Sequence, residues 1–501
     1  MSASNVLSAG RRALPSRRGP LPGWGNETLK AIAAAAAAAA ISYAGMHKFG
    51  AVGMLAPVAV ALAALLLMRP LAAITLLVAL TILCEGPTFG FLGITSHLYD
   101  QVYKGLTPLD MLVAVAIAAV GIDIASGRRR ISLPGPLLPA TGVLLCAMLV
   151  AVVYGYAVGE GLRDVVLTQH VLAYLLFLPT IVANMDLDRR KVVFLLGGLM
   201  ALAVLKAVFG LIEVAGGYGS PIEGSSTLTY YEPTANWLVM IGFMSVCAAL
   251  AAKVRMPRWM LLGGPLLLTS LVLSYRRSFW IALVLGIVLI LLLGVSRGGR
   301  RVLLPTAVLL GVAIWMMGSI STTQLQSPIV KRVQSLSPTK VESNVQDSYR
   351  LDERANVLHS IERHPITGLG LNVPWTATVR PLSEEHEEGR VYVHFAALWF
   401  WMKLGILGLV AYIALILGAI ALGFRVWRRS PEPLVRAFGL ASLCAFVGLI
   451  AIETTASFTG VDPRFTALIA VHMGLLALLD RRATLAVGQA PSANRSSTAV
   501  V

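Results

Sequence analysis

Residues 404–424 read LGILGLVAYIALILGAIALGF and run straight into Arg425-Val426-Trp427-Arg428-Arg429. The stretch carries no charge and no alternation of apolar and polar residues. About 20 apolar residues let a helix cross the hydrocarbon of a bilayer. In lipid only helices and closed barrels satisfy their backbone groups, and a barrel strand would alternate. The stretch therefore predicts a membrane-spanning helix, and the arginines at its end mark the cytoplasmic side.

Similar runs recur on both sides of it. They predict helices near 29–45, 51–68, 70–84, 108–125, 134–155, 170–185, 192–214, 234–252, 259–275, 279–295, 302–320, 393–423, 436–455 and 464–479, about fourteen spans in all. The chain is 57% hydrophobic and 13% charged, where soluble proteins carry about a quarter charged residues. The expected fold is all-α: a polytopic membrane helical bundle. Residues 1–25 read as a disordered basic tail. The spans then group as 26–190, 191–425 and 426–482, and residues 483–501 form a second tail. The alanine tract Ala31 to Ala40 is followed by Lys48 and another apolar run, so it reads as a retained helix rather than a cleaved signal.

Basic clusters fall at Arg11/Arg12/Arg17/Arg18, Arg128–Arg130, Arg189–Lys191, Lys253/Arg255/Arg258, Arg297/Arg300/Arg301, Arg425/Arg428/Arg429 and Arg481/Arg482. An even number of expected spans separates each from the next, which puts both termini in the cytoplasm of a multi-pass inner-membrane protein. The net charge of +16 is thus spent on short turns, and nucleic acid is a poor partner. Cys84, Cys146, Cys247 and Cys444 all sit in apolar runs and read as packing residues.

Two outward segments break the pattern. Residues 321–392 are the long hydrophilic loop, expected in the periplasm. Within it Asp347 or Ser348 can cap a helix from Tyr349 to Arg363 with Leu351, Ala355, Leu358 and Ile361 on one stripe. Pro365 ends that helix and Gly368-Leu369-Gly370 turns the chain. The whole reads as a lid on the membrane surface. The other segment is Tyr275-Arg276-Arg277-Ser278, two positive charges placed outside against the orientation rule, where an anionic partner is expected.

Guanidinium groups match phosphate oxygens, so Arg276, Arg277, Arg350 and Arg354 are candidates to hold the diphosphate of a membrane lipid. The bland alternative pairs Arg350 and Arg354 with Asp347, Asp352 or Glu353 on a solvated face. His394 stands at the outer membrane boundary, where it either takes a proton from a sugar hydroxyl or only anchors the helix beside Tyr392 and Trp399. Arg163 with Asp164, and Asn236 in Glu232-Pro233-Thr234-Ala235-Asn236, are weaker candidates. Ser383-Glu384-Glu385-His386-Glu387-Glu388 reads as a solvated turn rather than a metal site, and no P-loop, dinucleotide fingerprint or serine elbow is present.

Three stretches resemble the O-antigen ligase and polymerase superfamily of bacterial surface polysaccharide assembly. Ser274-Tyr275-Arg276-Arg277-Ser278-Phe279-Trp280 is similar to its Ser-Arg element, with Arg276 where Ser is usual. Residues 350–370, ending His364-Pro365-Ile366-Thr367-Gly368-Leu369-Gly370, resemble its helix and Pro-x-x-Gly-x-Gly turn. His394 with Gly405-Ile406-Leu407-Gly408 resembles its His-Asn and Gly-x-x-Gly helix. Phe395 replaces that Asn and Lys403 stands near a common acidic position, which leaves His394 without the motif's usual partner. The resemblance spans about residues 190–425. It implies a glycosyltransferase that needs neither metal nor nucleotide and moves a glycan from undecaprenyl diphosphate to an acceptor glycan or glycolipid. By that likeness His394 helps activate the acceptor and the arginines hold the diphosphate, in contact with membrane lipids and other polysaccharide assembly proteins. A transporter of lipid-linked polysaccharide and a non-catalytic assembly scaffold are the alternatives. A class that relies on carboxylates in the first outward loop is disfavoured, because that loop offers His47 and Lys48 instead.

Overall fold

The computed structural model describes residues 36–41, 43–44, 46–47, 56–84, 98, 106–127, 131, 135–159, 161–163, 165, 170–217, 220–221, 228–229, 233–294, 345–380 and 390–488. The expected helix at 302–320, most of that at 29–45, the 1–25 tail, Asp164, Glu232 and the 383–388 run lie outside them. Contacts divide the chain into residues 1–65 and 66–501. In the first unit the described residues are helical.

The helices are α1 (Ala56–Met68), α2 (Pro70–Leu83), α3 (Pro108–Ala125), α4 (Leu138–Ala157), α5 (His170–Ala183), α6 (Arg189–Ala215), α7 (Pro233–Ala251), α8 (Arg258–Leu273), α9 (Arg277–Gly294), α10 (Val345–Glu362), α11 (Ala396–Arg429), α12 (Pro433–Glu453) and α13 (Pro463–Gly488). Eight are long and apolar enough to cross a membrane, and α1, α2, α5 and α8 are shorter apolar helices. The chain is an all-α polytopic membrane protein. The strands among the described residues are a two-residue pair, Ser220–Pro221 against Leu228–Thr229.

Helices start where the sequence offers caps. Thr107 and Asp110 form a reciprocal capping box at α3, and Pro108 fills the first turn. Asp188 caps α6 by accepting from the Lys191 amide at 2.8 Å.

Burial identifies the centre. The spans α7, α12 and α13 are 78%, 78% and 89% buried, whereas α3 and α4 reach 33%. Small residues allow this. A Cβ on Gly448 of α12 would lie 2.9 Å from the Ala282 methyl of α9, and one on Gly423 of α11 would lie 2.8 Å from the Leu443 amide. Close backbone approach of this kind replaces the hydrophobic effect as the source of helix association in lipid.

The same contacts fix the register. Ala282 meets Gly448, Gly286 meets Cys444, and Gly294 meets Leu440, so α9 runs antiparallel to α12. The start of α9 therefore lies level with the end of α12. At the opposite end Arg425 and Arg429 approach Asp480 at 3.5 and 3.7 Å. Arg482 donates to the Leu187 carbonyl at 2.9 Å, Arg481 to that of Met185, and Arg189 reaches Glu432. Three of the basic clusters thus share one end, here called the basic end. Helix α13 continues to Gly488, beyond the expected 479.

One expected helix is broken. A straight α11 of 34 residues would be about 50 Å long, well beyond the roughly 30 Å of hydrocarbon. Gly405 interrupts it with φ 69° and ψ −165°. Into the break docks the turn that follows α10. The Leu369 amide donates to the Met402 carbonyl at 2.7 Å and the Ile406 amide to that of Ile366 at 3.1 Å. Trp401 Nε1 donates to the Pro365 carbonyl at 2.8 Å, and the buried Lys403 donates to that of Val373 at 2.6 Å. The hydropathy pattern could not show this, because the break is set by backbone pairing with a distant segment.

A Cβ at residue 405 would lie 2.0 Å from the Ile366 carbonyl oxygen, whereas one at Gly142 meets nothing within 4 Å. Gly405→Ala is therefore expected to undock the turn and cost upwards of about 2 kcal/mol. The expected result is a lower melting temperature in detergent and faster proteolysis near residue 370. Gly142→Ala should melt at or slightly above the wild-type temperature.

Candidate functional site

The end opposite the basic end carries the sequence-predicted site residues. Helix α10 was expected to bury Leu351, Ala355, Leu358 and Ile361. Only Ile361 is fully buried, while Leu351 and Leu358 are exposed. The buried face is Glu353, Asn356, Val357, Ser360 and Ile361. Specific partners account for that rotation. The Asn356 side chain accepts from the Val379 and Arg380 amides at 2.8 and 3.0 Å and donates to the Arg380 carbonyl at 2.8 Å. Ser360 Oγ accepts from the Thr376 amide at 3.4 Å. A polar stripe at i, i+3 and i+7 thus ties the helix to the loop behind it.

His394 precedes α11 rather than opening it. The stretch 392–394 is clamped on several sides. Trp375 Nε1 donates to the Tyr392 carbonyl at 2.9 Å. Ser457 donates from its amide to the Tyr392 hydroxyl at 3.1 Å and from its Oγ to the Val393 carbonyl at 2.5 Å. Glu353 completes the set. Its carboxylate accepts from the His394 amide at 2.8 Å and lies 3.0 and 3.2 Å from His394 Nδ1. Tyr392 and Tyr349 meet the imidazole edge-on, with centroids 4.8 and 6.0 Å away. Tyr349 also hydrogen-bonds Glu353, and burial together with that carboxylate pushes its phenol up to about 12. Burial raises the Tyr392 phenol as well.

Among the described side chains no ion pair joins Arg354 to an acid on its own helix. Its guanidinium donates to the Thr454 carbonyl at the end of α12 and lies 5.0 Å from the centroid of the Phe395 ring. Burial and the like charge of Arg350 pull it below the ordinary arginine range, against Glu353. Asp352 is taken by Arg380 at 2.7 Å. The described partners of Arg354 are thus a backbone carbonyl and an aromatic ring.

Arg276 and Arg277 form the tight link from α8 to α9. Tyr275 adopts φ 52°. Ser274 Oγ donates to the Leu271 carbonyl at 2.7 Å, and Trp280 Nε1 donates to that same carbonyl at 3.0 Å. Both arginines are half-buried. The α9–α12 register sets them level with Glu453 and Thr454, at the end where Arg354 binds.

Arg163 is exposed beyond α4, whose Tyr154 hydroxyl lies 3.4 Å from His364 Nδ1. Among the described residues no hydrogen bond or ion pair joins Arg163 to the others. Asn236 is fully buried near the start of α7, and its amide atoms have no hydrogen-bond partner among the described residues. Also among the described residues, no group of three His, Cys, Asp or Glu gathers for a metal. Sequence reasoning missed Glu353 as the partner of His394. The available signal was the polar stripe Glu353, Asn356 and Ser360.

The chain matches no curated protein. A family model described as O-Antigen ligase matches residues 262–413. The match runs from within α8 to within α11 and takes in Arg276, Arg277, Arg350, Glu353, Arg354, His394 and Gly405. Over those residues the chain is similar to the O-antigen ligase family.

Proposed function

We propose that the chain is a glycosyltransferase of ligase or polymerase type that needs no metal. It moves an oligo- or polysaccharide from undecaprenyl diphosphate to an acceptor sugar hydroxyl at the outer face of the bacterial inner membrane. The observation that carries this reading is the gathering at one end of His394, Arg354 and the Arg276–Arg277 link inside the matched domain. Glu353 occupies His394 Nδ1, so Nε2 is the nitrogen that takes the acceptor proton. The acceptor oxygen then bonds to the anomeric carbon. The bond from that carbon to the diphosphate oxygen breaks, and its electron pair leaves with the lipid diphosphate.

The arginines hold that leaving group. Arg277 opens α9, where the helix dipole already favours an anion. A cation at that position opposes the dipole, and a bound diphosphate reconciles the two. Arg350 and Arg354 approach from α10, and Arg163 contributes from the α4 side. The basic end then faces the cytoplasm, with both termini, and α10 lies outside. A site at one end of the bundle also favours transfer over transport, where binding at mid-depth is the rule.

The direct test reconstitutes purified protein in liposomes with a lipid-diphosphate oligosaccharide and acceptor glycan, both extracted from the source membrane. Arg277→Ala and His394→Ala should each lower transfer by about 100-fold or more at unchanged melting temperature, and EDTA should leave the wild-type rate intact. Wild-type rates in both variants would remove the site assignment. Glycan that crosses the bilayer without a new glycosidic bond would make the chain a transporter.

Topology is open to labelling in a cysteine-free background. His359→Cys on α10 should react with an impermeant maleimide on intact spheroplasts, and Arg428→Cys should react only after lysis. The reverse pattern would overturn the orientation.

A further inference from the structure

We infer that Glu353 is a positioning residue for the reaction: it fixes the orientation and tautomer of His394, so that the base is complete only while α10 is docked. The inference rests on the transferase reading above and extends it to a residue outside the quoted motifs.

Glu353 is 1% exposed. A buried carboxylate persists only when its oxygens are paired, and here every described partner belongs to one cluster. The His394 amide donates to Oε2 at 2.8 Å, Nδ1 lies 3.0 Å from that oxygen and 3.2 Å from Oε1, and Tyr349 adds its hydroxyl. With a phenol raised to about 12, Tyr349 remains a donor at any working pH.

The geometry has a chemical consequence. A carboxylate can only accept, so the proton of a neutral imidazole sits on Nδ1 and the lone pair on Nε2. Tyr392 and Tyr349 stand nearly perpendicular to the ring, at 84° and 89°, and restrict its rotation. The His394 side chain nonetheless keeps 29% of its surface open. When Nε2 receives a proton, the imidazolium forms beside a negative charge already in place, with no reorganisation needed. Glu353 also lies between Arg350 and Arg354 in sequence. One docking event therefore brings in the orienting carboxylate and the diphosphate-binding cations together.

A purely structural role is the competing account, since the carboxylate also holds the chain entering α11 through the His394 amide. Glu353→Gln separates the two. The glutamine carbonyl can still accept from that amide, but its NH2 group presents donors to Nδ1 and favours the opposite tautomer. In the liposome assay, Glu353→Gln should lower kcat about 100-fold while the KM for the lipid-diphosphate oligosaccharide and the melting temperature stay unchanged. Glu353→Asp should recover at least about tenfold of that loss.

Wild-type kcat in Glu353→Gln overturns the inference. So does an equal loss in the Gln, Asp and Ala variants that tracks a lower melting temperature, which would make the role structural. An inactive His394→Ala beside a fully active Glu353→Gln sinks this inference alone. An active His394→Ala removes His394 as the base and the inference with it, whereas a wild-type protein that forms no new glycosidic bond sinks the transferase reading beneath both.

Discussion

The far end of the bundle depends on a backbone contact at Gly405. A helix of α11's length has no reason to stop halfway through an apolar run, and only glycine takes the required φ without strain. The break exposes the Met402 carbonyl and the Ile406 amide, and both are satisfied by the turn at 366–369. A broken helix in a membrane is tolerated only where its freed groups find such partners. The turn needs the break equally, since a Cβ on Gly368 would lie 2.5 Å from the Met402 oxygen. Two glycine-bearing segments far apart in sequence therefore lock together, and α10 is held above His394.

Below this lock, polar pairs inside the apolar core hold the central helices in register. Glu453 at the end of α12 accepts from the Thr459 amide and hydroxyl at 3.0 and 2.8 Å. His472 of α13 meets Ser442 of α12 at 2.9 Å. Such bonds are worth about 0.6 kcal/mol on average between membrane helices, so they are weak glue. Their value is directional. They set which faces of α12 and α13 meet, and so set the level at which Thr454 presents its carbonyl to Arg354.

Hydropathy alone made the bundle legible, because a run such as 404–424 has no other low-energy state in lipid or water. The glycine turn was legible for a related reason: Gly after Pro is a local anomaly, as is the arginine pair between two apolar runs at 276–277. The Gly405 break, the buried face of α10 and the partner of His394 were not. Leu351 and Leu358 have the right spacing for a core stripe, yet they are the exposed face. Hydrogen-bond partners supplied by Val379, Arg380 and Thr376 chose the other side. Periodicity reports which face is apolar, and in this loop hydrogen-bond partners decided which face the protein buries.

The two ends of the bundle treat arginine differently. At the basic end Arg425 and Arg429 share Asp480, while Arg189 and Arg482 share Glu432. At the far end Arg354 meets a carbonyl and an aromatic ring, and three described acids of that end are engaged elsewhere. Glu353 serves His394, Asp352 serves Arg380 and Asp462 serves Arg464 at 3.0 Å. A half-buried guanidinium with neutral partners keeps a strong local field. Such a field costs stability in the resting protein, and it is recovered when an anion arrives. On the transferase reading proposed above, that anion is the diphosphate of the donor lipid.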